Sequence, residues 1–252
     1  MQEIEFKFQV PVKKRKALQK AFTLLKAEPI HLAAQYFDTA DQTLAKHCIA
    51  IRRRQENDEW KQTFKAVNSA KVLSRLELEF DIAPPETTTL DLDNYKDYSA
   101  IYKKLKRALG LPLPTLELLF ETNIQRLRVL QDVGSSTVEI ALDIGKIFKE
   151  QNSVDIFEIE FELKQGSIED LIAFIRPWVQ KYQLSLDTHS KSDYGLLAVR
   201  QQSSFSAQYQ TPLVLNRSSS EVEALQSIVA NCLQHLLPNA SSIARQQYST
   251  EH

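Results

Sequence analysis

The chain opens with strict alternation of apolar and charged residues. In MQEIEFKFQV, Ile4, Phe6 and Phe8 alternate with Glu3, Glu5 and Lys7. A period of two puts the apolar set on one face of a strand and the charges on the other. A first strand is therefore predicted from about Gln2 to Val10, ended by Pro11. The period then lengthens. VKKRKALQKAFTLLK brings Val12, Leu18, Phe22 and Leu25 near one stripe, which predicts a helix. AAQYFDTADQTLAK reads as a short strand running into a turn, with Asp38 and Thr39 as turn or cap residues. CIAIRRRQ and WKQTFKAV read as strands joined by the tight turn NDE, and LSRLELEFDI as another alternating strand. Beyond a loop at Pro84 and Pro85, a helix is predicted around Tyr98 to Leu109, closed by Gly110. LELLFETNIQRLRVL, STVEIALDIGKI and VDIFEIEFELK are three more strands, the last two joined by a turn near Gln151 and Asn152. SIEDLIAFIRPWVQKY is an amphipathic helix capped by Ser167 and kinked at Pro177, and KSDYGLLAVRQQ is a last short helix.

Eight strands with mostly short connections argue for an antiparallel sheet. Its polar faces carry charge throughout. Arg52 and Arg54 share one face, as do Lys61, Thr63 and Lys65. Arg75, Glu77, Glu79 and Asp81 form another set, and Arg126 and Arg128 share a face with Thr122. Glu139 and Asp143 alternate with Val138, Ile140 and Leu142, while Glu158, Glu160, Glu162 and Lys164 alternate with Ile159, Phe161 and Leu163. One reading is an antiparallel sheet that packs one face on helices and wets the other. Two details count against it. The polar positions are mostly Glu, Arg and Lys and not the Thr, Ser and Gln that suit a flat wetted sheet. Like charges also recur at spacing two, as in Glu158, Glu160 and Glu162, and these repel unless cations or a polyanion lie between them. The other reading is a closed barrel with the charges inside, since about eight strands make the smallest barrel that holds a small ligand. Clustered carboxylates suit Mg²⁺ or Mn²⁺, and clustered Arg and Lys suit phosphate oxygens. Together they point to a polyphosphate ligand.

Composition narrows the alternatives. The 252 residues are 43% hydrophobic and 25% charged, with a formal net charge of -1. That balance gives no bulk attraction to nucleic acid or membrane. No apolar run is long enough to span a bilayer. The five glycines are scattered, so neither a P-loop nor a dinucleotide-binding fingerprint is present. Cys48 and Cys232 stand alone, without metal spacing or a signal peptide, which implies a reducing cytoplasm. The five histidines form no metal pair and are read as structural or exposed. Trp60 and Tyr36 are read as packing residues, and KKRK at 13–16 as a solvated helix start.

The ordered set of Glu-x-Glu-x-Lys on the first strand, YFDT, Arg-x-Arg, Thr-x-Lys, Arg-x-Glu and a late LDIG…EIE pair resembles the CYTH superfamily, the triphosphate tunnel metalloenzymes. The resemblance covers roughly residues 1–200. It implies an α+β fold built on an eight-stranded antiparallel β-barrel, flanked by helices, that binds a linear triphosphate with Mg²⁺ or Mn²⁺. It matches Glu3 and Glu5 to a metal-binding pair and Lys7 to that motif's lysine. It matches Arg52 and Arg54 to a phosphate clamp, Lys65 to the lysine of Thr-x-Lys, and Arg75 and Arg126 to tunnel arginines. Asp143, Glu158 and Glu160 correspond to a second carboxylate group, with Glu77, Glu79, Glu139 and Glu162 as further tunnel acids. HSKSDYGLLA resembles the segment that closes the domain, with Lys191 near one mouth. Lys61 and Arg128 share the inward parity but match no motif. The implied activity is hydrolysis of inorganic triphosphate to pyrophosphate and phosphate, with Glu5 or Glu158 as general base. A class IV-type adenylate cyclase, a thiamine triphosphatase and a non-catalytic polyphosphate-binding module are the alternatives. No membrane or nucleic-acid partner is expected.

After about Gln201 the chain turns polar and serine-rich, so 201–218 reads as a linker. Residues 219–252 then read as a serine-capped amphipathic helical segment with an apolar stripe at Val222, Leu225, Ile228, Val229, Cys232 and Leu236. This segment resembles the start of a CHAD domain, a helical module for phosphate-rich ligands. The expectation is a piece cut early in a longer protein, the alternative being a C-terminal docking helix. Such a helix should pack on the tunnel domain, pair with a second chain or fray. Removal from Ser206 onward is expected to leave turnover nearly unchanged.

Overall fold

The alternating N-terminal run forms two pieces, β1 (Gln2–Glu3) and β2 (Glu5–Gln9). Helix α1 (Val12–Leu24) follows, then β3 (Glu28–Asp38), the short α2 (Thr43–Lys46), and β4 (Ile49–Glu56), β5 (Glu59–Val67) and β6 (Arg75–Ile82). Helix α3 (Ser99–Leu109) leads to the three long strands β7 (Glu117–Val133), β8 (Ser136–Lys149) and β9 (Asn152–Gln165). The chain ends in α4 (Ile168–Tyr182), β10 (Ser185–Leu186), α5 (Lys191–Arg200) and α6 (Glu221–Ala244). This computed structural model describes residues 2–67, 75–215 and 218–248, without the side chains of Gln2, Glu3, Val67 and Arg75.

The class is α+β, and every strand pairing is antiparallel, in the order β1-β6-β5-β4-β3-β7-β8-β9-β2-β10. That order has two ends. The expected closed eight-stranded barrel is therefore corrected, among the described residues, to a ten-stranded sheet that is not closed. The reason lies in the first nine residues, which are too few to pair along their length with two neighbours. Glu3 lies opposite Arg75 on β6, whereas Glu5 to Gln9 lie along β9, with Lys7 opposite Glu160. The sheet nevertheless curls strongly, because Glu77 and Glu79 of β6 line the same cavity as Glu160 and Glu162 of β9.

Two cores lie on the outer face. Phe8, Ile140, Ile159 and Phe161 pack on Leu18 and Phe22 of α1 and on Leu171 and Ile175 of α4. Ile49, Ile51 and Phe64 pack on Ile101 and Leu105 of α3 and on Tyr95. Each such buried side chain contributes about 1.5–3 kcal/mol. Ser167 caps α4 as expected, its hydroxyl accepting from the Asp170 amide at 3.2 Å, and the helix continues through Pro177 to Tyr182. Asp38 ends β3 and caps α2, accepting from the amides of Leu44 at 2.8 Å and Ala45 at 3.0 Å.

A third core lies on the inner face. Tyr36 stands opposite both Arg52 on β4 and Phe120 on β7, so these three share one side of the sheet. The inner face is thus divided. One part carries the charges, and the other presents Leu32, Tyr36, Phe120, Ile124 and Ile147, which α5 covers with Tyr194 and Leu197. Close approach of α5 requires Gly195, since a Cβ there would meet the Phe120 ring at 2.2 Å. That ring cannot yield easily, being 1% exposed and stacked on Tyr36 at 4.5 Å between centroids. Gly195→Ala is expected to cost about 1–3 kcal/mol through overpacking, despite the better helix propensity of alanine. Urea unfolding would measure it, and an unchanged or raised midpoint would contradict this packing.

Candidate active site

The strands and α5 bring six of the sequence-selected residues into one buried cluster. Asp143 of β8, Glu158 and Glu160 of β9 present carboxylate oxygens that lie within 4.8 Å of one another. Their register explains the grouping: Asp143 stands opposite Glu158, and Arg126 of β7 opposite Asp143. Arg126 forks onto Asp143, with Nε to Oδ1 and Nη2 to Oδ2 both 2.7 Å, and also donates to Glu160. Lys191 arrives from the first position of α5. Its ammonium lies 2.7 Å from Asp143, 2.6 Å from Glu158 and 2.8 Å from Glu160. The helix start is held by a capping box between Ser190 and Asp193, which fixes where Lys191 leaves the backbone. Lys7 completes the cluster, 3.5 Å from Glu158 and 4.0 Å from Asp187, and donates to the His189 carbonyl.

Electrostatics follow from this packing. Burial opposes ionisation of Asp143 and Glu160, but Arg126 and Lys191 outweigh it and hold both carboxyls below their ordinary values, Glu160 well below. Burial likewise opposes the Lys191 charge, yet Asp143, Glu158 and Glu160 hold it well above its ordinary value. Lys7 is raised too, since Glu158 and Asp187 overcome its burial. The carboxylates contribute stability that is present above the ordinary values of 3.8 and 4.5 and is lost as pH falls through the native ones. The lysines contribute stability that is present below 10.5 and is lost as pH rises through their raised values. The stability difference between the parent and Glu160→Gln is therefore expected to stay flat from about pH 5 to about pH 10 and to shrink in acid. Denaturant melts across pH check this, and a step near pH 7 would contradict it.

The second half of the site is a basic wall on β4 and β5. Arg52 lies 3.3 Å from the Thr63 hydroxyl, 3.4 Å from the Tyr36 phenol and 4.0 Å from Glu79. Arg54 lies 3.3 Å from both Glu56 and Glu79, Lys61 3.9 Å from Glu79, and Lys65 2.9 Å from Glu77. Burial and the neighbouring Arg52 pull the Arg54 guanidinium below its ordinary value, against Glu79 and Glu56. An anion beside it would relieve that strain. Glu79 is itself held low: burial raises it, but Arg54 and Arg52 prevail. Glu139 and Glu162 pair with Lys164 at 3.6 and 2.8 Å, and Arg128 with Glu28 at 3.2 Å and Glu56 at 3.8 Å.

The basic wall, Glu77 and Glu79, Arg126, Glu160, Lys191, Lys7 and Glu5 all line one cavity of about 1270 Å³. Glu5 faces this space from β2, opposite Glu162, but is not among the grouped carboxylates. The Glu3 and Arg75 side chains lie outside the described residues. The donor set fits a hard divalent cation: three carboxylate oxygens converge, and both Glu158 oxygens lack a well-aligned hydrogen bond although ion-paired.

Sequence reading missed several residues here. Tyr36 was read as packing, yet its phenol also lines the cavity, and Arg52 brings it below its ordinary value against the effect of burial. Asp187 is buried, accepts from the Tyr194 hydroxyl at 2.8 Å and the His189 amide at 3.0 Å, and is held low by Lys7 despite burial. A lone Asp in a loop carries no periodic signal. His189, read as structural or exposed, is stacked on Phe205 at 3.8 Å and lines the cavity.

The tail joins the site. Helix α6 docks through polar residues: Gln9 donates to the Ser241 carbonyl at 2.9 Å, and the Ser241 hydroxyl accepts from the Thr188 amide at 3.1 Å. Arg245 donates to the Asp155 carbonyl and covers the Tyr194 ring at 4.1 Å. Of the predicted stripe, Val222, Leu225, Ile228, Val229 and Leu236 are exposed. Ser206, Gln208, Leu233, Leu237 and Pro238 wall one side of the cavity. Removal from Ser206 onward is thus expected to lower turnover, on the order of tenfold or more, by freeing the loop that carries Asp187 and His189. Steady-state kinetics on a truncation that keeps its circular dichroism would decide, and an unchanged rate would restore the view that the tail is dispensable.

Residues 1–193 match the profile of the CYTH domain. The chain is 32% identical over 201 residues to an inorganic triphosphatase of Haemophilus influenzae, covering 78% of this chain and 55% of that relative. It therefore spans little more than half the length of that curated relative. Among solved structures it is similar to a candidate adenylate cyclase of Bacillus halodurans, with a TM-score of 0.55 and 21% identity over 76% of this chain and 96% of the other. It is similar also to HpAC1 of Hippeastrum, a candidate adenylyl cyclase described as having a dominant triphosphatase activity, with a TM-score of 0.52 and 19% identity over 79% and 95% of the two chains. At these identities the two structures show a shared fold.

Proposed function

The chain belongs to the CYTH family, and on that premise we propose that it hydrolyses inorganic triphosphate to pyrophosphate and phosphate. One observation carries this reading: one cavity is lined by a basic wall on one side and by Glu160 on the other, with the carboxylates of Asp143 and Glu158 grouped beside Glu160. In this reading the curled sheet is the wall of a tunnel, and its two ends are brought together by residues 2–9. The triphosphate lies along it, with Arg52, Arg54, Lys65 and Arg126 holding its oxygens and Arg75 completing the set. Asp143, Glu158 and Glu160 would hold Mg²⁺ or Mn²⁺, with Glu3 and Glu5 as further ligands. When bound, that ion supplies Lewis-acid polarisation of the phosphate oxygens. Phosphoryl transfer needs positioning and charge stabilisation and no protein nucleophile. Glu158 is fully buried between two ammonium groups, which suits holding charge. Glu5 faces the cavity and is better placed to take a proton from the attacking water. Among the described residues no helix is long and apolar enough to cross a membrane. The isolated Cys48 and Cys232 support a cytoplasmic setting.

The test is turnover of tripolyphosphate, thiamine triphosphate and ATP side by side with Mg²⁺ or Mn²⁺. Tripolyphosphate is expected to have the highest kcat/KM, because a charged wall rewards a slim polyanion. Cyclic AMP as the main product would replace this reading with the cyclase. Tight binding without turnover would replace it with a polyphosphate-binding module.

A further inference from the structure

The carboxylate group is already occupied by a cation of the protein's own. Lys191 places its three-donor ammonium within 2.8 Å of three acceptors, one each on Asp143, Glu158 and Glu160. Three carboxylates face three cations, Lys191, Arg126 and Lys7. Each of the three carboxylates is thus met by a resident cation, and Lys7 is shared with Asp187 at 4.0 Å. A divalent cation placed on the same three oxygens would stand against the Lys191 ammonium, a like-charge contact that is costly at low dielectric. One of the resident cations must then leave. Arg126 is forked onto Asp143 and Lys7 pairs with Glu158 alone of the three, whereas Lys191 reaches all three on a flexible four-carbon stem from the start of α5.

We propose that Lys191 and the divalent ion compete for Asp143, Glu158 and Glu160, so that the metal enters productively only together with the triphosphate. This rests on the metal-and-triphosphate reading above and adds an order of events to it. Phosphate oxygens accept the Lys191 donors, the ammonium moves from the carboxylates to the substrate, and the carboxylates are released to the ion. Two ligands that each favour the same displaced state of Lys191 bind cooperatively, and the coupling is reciprocal. Free metal is bound weakly, and the resting site stays closed to it.

The first experiment measures Mn²⁺ binding by the paramagnetic resonance of the free ion, without any phosphate, to the full chain and to Lys191→Met. The parent is expected to bind weakly and Lys191→Met about tenfold or more tightly, within the usual range of coupling. Equal affinities in two folded proteins would overturn the proposal. The second experiment needs no substitution. The Lys191 ammonium, held by a hydrogen bond to Glu160 and ion pairs to Asp143 and Glu158, is followed by nitrogen-15 NMR, with Lys191→Arg used only to assign its signal. Mg²⁺ alone is expected to leave the signal in place, and Mg²⁺ with imidotriphosphate, a slowly hydrolysed analogue, to shift it. Displacement by Mg²⁺ alone at submillimolar concentration would refute the competition. Coupling without turnover would sink the hydrolase reading and leave this one standing, and turnover without coupling would do the reverse.

Discussion

Glu160→Gln is expected to lower kcat for tripolyphosphate by about a hundredfold to a thousandfold, the usual effect of removing one charge from a preorganised electrostatic site. Glu160, like Asp143, is a carboxylate on which Arg126 and Lys191 both converge, but unlike Asp143 it lines the cavity. Glutamine keeps the length and shape but turns an acceptor into a group whose amide nitrogen repels those donors. The divalent ion would then lose one anionic oxygen of three, and Arg126 and Lys191 would lose part of what orients them. The fold should survive, because Glu160 lies at the cavity wall and the β9 register is held by backbone pairing to β8 and β2. Kinetics with an Mg²⁺ titration check this. A variant with the parent's rate and metal dependence would remove Glu160 from the site.

Arg54→Ala is expected to act on binding instead. A charge-assisted hydrogen bond contributes about 1.5–3 kcal/mol, so the dissociation constant for tripolyphosphate should rise roughly tenfold to a hundredfold. Arg54 is suited to this because burial and Arg52 pull it below its ordinary value despite Glu79 and Glu56. Removing it leaves Glu79 with the Thr63 hydroxyl at 2.9 Å, Lys61 and Arg52, so no buried carboxylate is stranded. Arg52→Ala should weaken binding by a similar factor and also free the Tyr36 phenol. Calorimetry with imidotriphosphate separates this from an effect on chemistry. Parent-like affinity in both variants would place the triphosphate away from β4.

Alternation made most of the candidate site legible. Every charged residue on β4, β5, β8 and β9 chosen for its parity lines the cavity or the buried cluster beside it, because parity survives whatever the strands pair with. Residues outside a periodic element were not legible in the same way. Asp187 lies in a loop, and the Ser241 contact brings α6 onto that loop from far along the chain. The α6 stripe shows the limit of pattern reading. Its apolar side is exposed while Asn231, Asn239, Ser241 and Ser242 are buried, so hydrogen bonds to the linker and to the 186–188 segment decided which side docks.

The sequence by itself determined the antiparallel strands, the gathering of their charges on one face, the caps at Ser167 and Asp38 and the membership that its ordered motifs imply. These are local matters, set by a period of two, by turn chemistry and by the spacing of residue types along one element. Only the tertiary structure decided that the short N-terminal run is shared between β6 and β9, that α5 fills the apolar part of the inner face through Gly195, and that the Lys191 ammonium sits among three carboxylates. Those outcomes depend on strand register and on close packing between distant segments. Side-chain order along the chain constrains both without choosing between the arrangements that satisfy it.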